Sequence, residues 1–162
     1  MIDDMSSDRS PDADFGLLFA LAFRCYVTHL HDRLEAQGFT PVRSAFGPVL
    51  RNLRGRRVTL SALARDLGIT KQAVARVVDD MRAAGLVEQL PDPSDGRARL
   101  LALTARGDAM VDAAIEIGTA YEQRLAEELG AAPARALRAG LERIVEQAGG
   151  DADLSARRVR SM

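Results

Sequence analysis

Six consecutive residues, Lys71-Gln72-Ala73-Val74-Ala75-Arg76, include side chains able to read the edges of nucleic-acid bases. On a helix advancing ~100° per residue, Val74, Val77, Val78 and Met81 fall within an arc of about 100° and face a core. Gln72 and Arg76 then lie on the opposite side, with Lys71 and Ala75 beside them. Gln offers a donor and an acceptor together, which suits adenine; the Arg fork suits guanine; each such pair is worth ~1–3 kcal/mol of discrimination. A lone exposed Gln or Arg on a helix also serves solubility, so neither residue is decisive in isolation. Asp79 and Asp80 repel phosphate and mark where a reading face would end. Asp79 is also spaced to pair with Arg82.

Further arginines surround this segment. Pro91-Asp92-Pro93-Ser94-Asp95-Gly96-Arg97-Ala98 is rich in turn formers and separates two strand-like runs, 86–90 and 99–103. The expectation is a hairpin with Arg97 at its tip and Asp95 and Arg99 beside it. An arginine there suits a minor groove, where it responds to width and negative potential, and Asp92 or Asp95 can hold its guanidinium in a fork-like pair. Arg54, Arg56 and Arg57, with Arg51 one turn earlier, suit DNA phosphates or, equally, a solvated loop. The helix starts at Thr59 and Thr70 complete the expected phosphate contacts, since helix N-termini favour anions.

Other chemistry is poorly supported. There is no Ser/His/Asp or Cys/His constellation, no phosphate-cradling glycine loop and no metal-ligand spacing, so neither an enzyme nor a cofactor is expected. His29 and His31, at i and i+2 of a helix, point apart and do not make a two-His metal site. Cys25, the single cysteine, excludes an intramolecular disulfide. It falls on an apolar helix face, where a buried cysteine is usually a small hydrophobe. Thiol redox sensing through Cys25 is the alternative, with Arg24 the adjacent basic residue to depress its pKa.

The net charge of −1 averages two unlike regions. Residues 51–106 carry eleven Lys+Arg against six Asp+Glu, while the remainder carries eleven against seventeen. A basic centre between acidic arms suits a nucleic-acid reader, although chance clustering in such a window also produces it. With 47% hydrophobic residues and only 4% aromatic, the 162-residue chain suits one domain with an aliphatic core. No apolar run is long enough to span a membrane, and the acidic start MIDDMSSDRSPDAD is unlike a signal peptide. A cytoplasmic protein without membrane association is the expectation.

Elements that would position these residues follow from periodicity. Residues 1–12 are polar and expected to be disordered. A helix over 14–37 carries Phe15, Leu18, Phe19, Ala22, Cys25, Tyr26 and Leu30 on one face, and Gly38 ends it. Thr40-Pro41 reads as N-cap and first helical residue, with Pro48 a conflict that should bend or split this second helix near 45–47. Thr59 caps a helix over 60–67, stopped by Gly68; Thr70 caps one over 71–84, stopped by Gly85. Helix, glycine, apolar Ile69, cap and second helix describe a helix-turn-helix. Thr104 caps a long helix to about 129, and Ala131-Ala132-Pro133 starts another that Gly149-Gly150 stops.

LSALARDLGITKQAVARVVDDMRAAGLVEQLPDPSDGRARLLALTARG resembles the winged helix-turn-helix of MarR-type transcriptional regulators. Gly38-Phe39-Thr40-Pro41 is similar to the family's G-[FL]-T-P, and Leu103 to Gly107 to its L-T-x-x-G. The resemblance covers roughly residues 14–148. It implies a mainly α fold with a small β wing, divided as a tail over 1–12, a winged-helix domain over 13–148 and a disordered tail over 149–162. Within that domain the DNA-binding lobe is expected at about 54–104 and dimerisation helices at 14–37 and 104–148. It also implies a ligand-responsive repressor, homodimeric on a pseudo-palindromic double-stranded operator. Phe15, Leu18, Tyr121, Leu137, Leu141 and Ile144 belong to stripes too broad for one small winged domain, and a dimer interface is expected there; an intramolecular bundle is the alternative. Phe23, Tyr26, Arg43 and Phe46 are the residues expected at a small-molecule pocket. Gly96 stands where many relatives have a second arginine, and in the peroxide-sensing branch the reactive cysteine lies near the position of Gly16. Arg157, Arg158 and Arg160 give the tail a basic end. A winged-helix protein-interaction module without specific DNA binding is the alternative function.

Overall fold

The computed structural model describes residues 14–95 and 98–150. The expected tails, other than Gly149 and Gly150, lie outside the described residues. Six helices and three short strands follow in the order α1 (Phe15–Ala36), α2 (Phe46–Leu53), β1 (Val58–Thr59), α3 (Leu60–Leu67), α4 (Lys71–Ala83), β2 (Val87–Pro91), β3 (Arg99–Leu103), α5 (Ala105–Leu129) and α6 (Ala131–Gln147). The fold is thus mainly helical with a small antiparallel sheet, ordered β1-β3-β2.

Most boundaries follow from their caps. Asp14, Thr59, Thr70 and Thr104 each accept a backbone N–H three residues on, satisfying one of the donors a helix start leaves open. Gly68, at φ 70°, ends α3 in the left-handed conformation that favours glycine.

The second helix departs from expectation. It begins at Phe46, not Pro41; residues 41–45 form an extended turn, and the Thr40–Pro41 peptide is cis. Pro48 is therefore the third helical residue, where its missing N–H would have had no helical partner. The anticipated break at Pro48 is not needed, because the helix is one turn shorter than its apolar pattern suggests. The first wing strand is also shifted by one residue, to Val87–Pro91, pairing with β3 from Val87↔Leu103 to Pro91↔Arg99. A third strand, β1, pairs Val58 with Leu101 and Thr59 with Leu100. Two residues are too few to show a period, so only the tertiary pairing reveals it.

The core lies inside the winged lobe. Phe46, Val49 and Leu53 of α2, Leu63 of α3, and Val74, Val78 and Met81 of α4 are nearly or fully buried, with Leu86, Leu101 and Met110. α5 enters this core through Met110, Val111 and Ile117 and then leaves it. By contrast, Leu34 is the one buried residue of α1, and α6 has none. α5 touches both outer helices, yet Phe15, Leu18, Phe23, Leu137, Leu141 and Ile144 stay exposed.

One junction fixes α5 to the lobe. Thr104 donates its N–H to the Leu86 carbonyl (3.1 Å) and its hydroxyl to the Gly85 carbonyl (2.6 Å), while its Oγ1 accepts from Gly107 (3.0 Å). Gly107 sits so close that a Cβ there would lie 2.1 Å from the Leu86 oxygen. The motif from Leu103 to Gly107 is thus a backbone-to-backbone contact that excludes any side chain. Arg106 extends it, donating to the Gly38 carbonyl (2.7 Å) with its guanidinium 5.3 Å from the Phe39 ring centroid.

Gly107→Ala is expected to cost about 3 kcal/mol, because the neighbour to be displaced is backbone. Thr104→Val, which loses cap and hydroxyl bond, should cost about 1–2 kcal/mol. Urea unfolding at constant slope measures both; a Gly107→Ala protein as stable as the parent would refute the close approach.

Candidate nucleic-acid interface

The helix-turn-helix is set by local bonds. Ile69 donates to the Ala64 carbonyl (3.2 Å) across the Gly68 turn, and Thr70 then opens α4. Val74, Val78 and Met81 are buried beneath α4, and Val77 is half-buried. Lys71, Gln72 and Arg76 are exposed on the other side, with Ala75 half-buried beside them. No hydrogen bond or ion pair among the described residues engages the side chains of Lys71, Gln72 or Arg76. Their donors and acceptors are therefore available to a ligand along one helical face.

Two acidic residues end that face. Asp79 pairs with Arg82 at 3.6 Å, as its spacing suggests. Asp80 pairs with Arg43 at 2.7 Å, a long-range contact that helical spacing does not reveal.

The arginines before α3 are not equivalent. Arg54 is paired with Asp112 of α5. Arg56 donates to Asn52 Oδ1 (3.0 Å) and Asp66 Oδ2 (3.1 Å), tying α2 to α3. Asn52 is 1% exposed, and its Nδ2 has no partner among the described residues. Arg51 and Arg57 are exposed without such partners. Arg65, overlooked in the sequence, projects from α3 with its side chain 79% exposed, 3.9 Å from Asp66. Its place on the polar side of Leu63, Ala64 and Leu67 was the available signal. Thr59 and Thr70 cap their helices, so their hydroxyl oxygens already accept backbone N–H groups.

Within the wing, Gly96 and Arg97 lie outside the described residues. Around them, the Asp95 carbonyl accepts from Ala98 N–H (2.9 Å), and Arg99 donates to the Ala98 carbonyl (3.3 Å). Asp92 Oδ1 accepts from the Ser94 hydroxyl (2.6 Å) and N–H (2.8 Å), an Asx turn that narrows the hairpin. These bonds, the side-chain one foremost, hold the Asp92 carboxyl below its ordinary value by favouring the charged form.

The four residues expected at a pocket occupy different surroundings in the single chain. Phe46 is core, Phe23 is 70% exposed and Arg43 is paired with Asp80. Tyr26 meets Tyr121 edge-on at 5.2 Å, and His29 lies 5.3 Å from the same ring. Tyr121, expected between subunits, is thus held by α1 of its own chain. An open cleft of about 260 Å³ beside it is lined by Tyr121, Arg124, Leu125 and Glu128. Cys25 is exposed rather than buried, because the α1 face that carries it is uncovered. Among the described residues no group of three or more His, Cys, Asp or Glu is placed to hold a metal, and no helix is long and apolar enough to cross a membrane.

Residues 47–98 match the MarR family model. An uncharacterized protein of Mycobacterium tuberculosis is 34% identical over 90 residues, 56% of this chain. The match spans 63% of that relative's length. Among solved structures, RV1404 from Mycobacterium tuberculosis superposes with a TM-score of 0.69 at 25% identity, covering 85% of this chain and 97% of that one. The transcriptional repressor CouR, bound to a 23-mer DNA duplex, superposes with a TM-score of 0.63 at 25% identity, covering 82% and 92%.

Two properties of this surface can be measured directly. Arg56→Met removes the donor that Asn52 and Asp66 share inside the lobe, at an expected cost of about 1–3 kcal/mol in chemical unfolding. The Asp92 turn is complete above the ordinary carboxylate range and is lost as pH falls through the lowered value, since a depressed carboxyl stabilises only while charged. Amide chemical shifts of Ser94 during acid titration report it; a midpoint at or above the unperturbed Asp value would remove the assigned bonds.

Proposed function

We propose that the chain, whose residues 47–98 match the MarR family model, is a MarR-type, sequence-specific, DNA-binding transcriptional regulator, a ligand-responsive repressor acting as a homodimer on a pseudo-palindromic operator. The observation that carries this reading is the exposed row on α4. Gln72 and Arg76 present free base-reading groups opposite the buried Val74, Val78 and Met81. CouR, of similar fold, is a transcriptional repressor bound to a DNA duplex, which supports the same use of the surface here.

In this reading, α4 enters a major groove, with Gln72 on adenine and Arg76 on guanine, and Lys71 and Ala75 beside them. Phosphate contacts come first from Arg57, Arg51 and Arg65, which carry no strong internal pair. Arg54 and Arg56 contribute less, because each would have to leave a carboxylate. Thr59 and Thr70 contribute through the helix N-termini they cap. Arg97 takes the minor groove, flanked by Asp95 and Arg99.

Dimerisation is supported by the uncovered apolar face of α1, α5 and α6. Phe15, Leu18, Leu137, Leu141 and Ile144 are each more than two-fifths exposed, and a second copy would cover them. Two recognition helices would then address half-sites one turn apart, ~34–36 Å. An effector acts by altering that spacing, since a few ångströms of mismatch prevents both helices from engaging together. DNA in the cytoplasm is the partner.

Selection of bound duplexes from a random library tests the whole reading. Gln72→Ala with Arg76→Ala should bring the selected sequence down to the affinity of random DNA. Arg97→Ala should weaken binding about equally across sequences; unchanged affinity refutes the wing role. Ile144→Glu should give monomers by light scattering, and a persistent dimer removes the interface. Absence of binding at ~50 mM salt would instead favour a protein-interaction module, since phosphate contacts give a steep salt dependence.

A further inference from the structure

Asp80 stands four residues after Arg76 and eight after Gln72, so the three form one row along α4. A carboxylate closing a row that faces phosphates is unfavourable, yet here it is engaged. Arg43 Nη1 donates to Asp80 Oδ2 at 2.7 Å. Arg43 is 37 residues away in sequence, within the turn that leads into α2. Its carbonyl accepts the N–H of Phe46 (2.9 Å), and Phe46 is buried in the core. The backbone behind the guanidinium is therefore anchored. The other end of the same connector is held at Gly38 and Phe39 by Arg106 of α5. The segment from Gly38 to Phe46 is a strap fastened to α5, to the core and to the far end of the reading row.

We infer that Arg43 and Asp80 form a positioning pair for base reading. The pair sets α4 against the connector between α1 and α2, and it neutralises Asp80, one of the two carboxylates that end the Gln72–Arg76 face, Asp79 being paired with Arg82. Neither residue needs to touch DNA; each acts through the orientation of Gln72 and Arg76. This inference rests on α4 being the base-contacting helix. The two side chains are 55% and 48% exposed, so solvent weakens the pair and the effect on each helix is severalfold, not many orders of magnitude. A two-fold complex uses the helix twice, which multiplies the effect.

The competing role for Asp80 is simple repulsion of phosphate, and the two roles differ in sign. If Asp80 only repels, removing its charge tightens binding to every sequence. If it positions, removing its charge loosens binding to the preferred sequence alone. The full-length protein and its Asp80→Asn, Arg43→Gln and doubly substituted variants are titrated against two probes. One is the duplex that the unsubstituted protein enriches from a random library; the other is a scrambled duplex of equal length. Each single variant is expected to lose about two- to fivefold per recognition helix on the enriched duplex, or about four- to twenty-fivefold for two helices. On the scrambled duplex, Asp80→Asn should bind as tightly as the unsubstituted protein or more tightly. The double variant should be no weaker than Arg43→Gln, because one interaction is lost in all three. Arg43→Lys keeps the single charged contact and should retain affinity to within about twofold, which separates positioning from a folding defect. Asp80→Asn binding the enriched duplex as tightly as the parent, or tighter, overturns the positioning role and leaves base reading by α4 intact. An unsubstituted protein that enriches no sequence overturns the base-reading role and this inference together.

Discussion

The approach of Gly107 to the Leu86 carbonyl is the contact on which the rest of the molecule depends. It lets the start of α5 lie directly on the turn between α4 and β2, with Thr104 bonded to the Gly85 and Leu86 carbonyls of that turn. From this junction α4 runs one way as the second helix of the helix-turn-helix, β2 and β3 run another as the wing, and α5 continues to the outer helices. A side chain at position 107 would have to push the α5 backbone away from the wing base. The same junction brings Arg106 over Phe39 and Asp112 next to Arg54. α5 is thus fastened to the lobe at three places.

Charge is allocated more sharply than composition suggests. Residues 51–106 carry an excess of basic residues, yet several arginines there, and Arg43 before them, are paired within the chain. Arg56 joins α2 to α3, Arg54 reaches α5, Arg43 holds Asp80 and Arg106 binds the end of α1. Among the described residues of this region, Arg51, Arg57, Lys71 and Arg76 are exposed without an ion pair, and Arg65 meets Asp66 only at 3.9 Å. The three ion pairs among these each join two elements and offset the charge of an acidic group.

The outer helices obey a different constraint. α6 buries no residue in the single chain, and α1 buries only Leu34. Helices of this length retain their form in water mainly by covering an apolar face. Tyr26, His29 and Tyr121 supply a local aromatic contact between α1 and α5, and Arg138 links Glu122 to Glu142 across α5 and α6. These contacts align the three helices without covering their outer faces.

Sequence alone determined what depends on local geometry and period. The threonine caps, the left-handed stop at Gly68, the opposed faces of α4 and the hairpin-forming run before β3 are all set within a few residues of chain, and each was legible. Tertiary structure decided what depends on residues far apart. α2 starts at Phe46, and the connector before it is held by Arg106 and Asp80, neither of which is visible from the local pattern. β1 exists because β3 offers it two partners, not because two residues have a strand period. Arg54 and Arg56 look like any basic linker until Asp112 and Asp66 are brought beside them. Phe46, Tyr26 and Tyr121 likewise took their places from packing, since an aromatic residue on an apolar stripe suits core, pocket or interface until the surface opposite it is known.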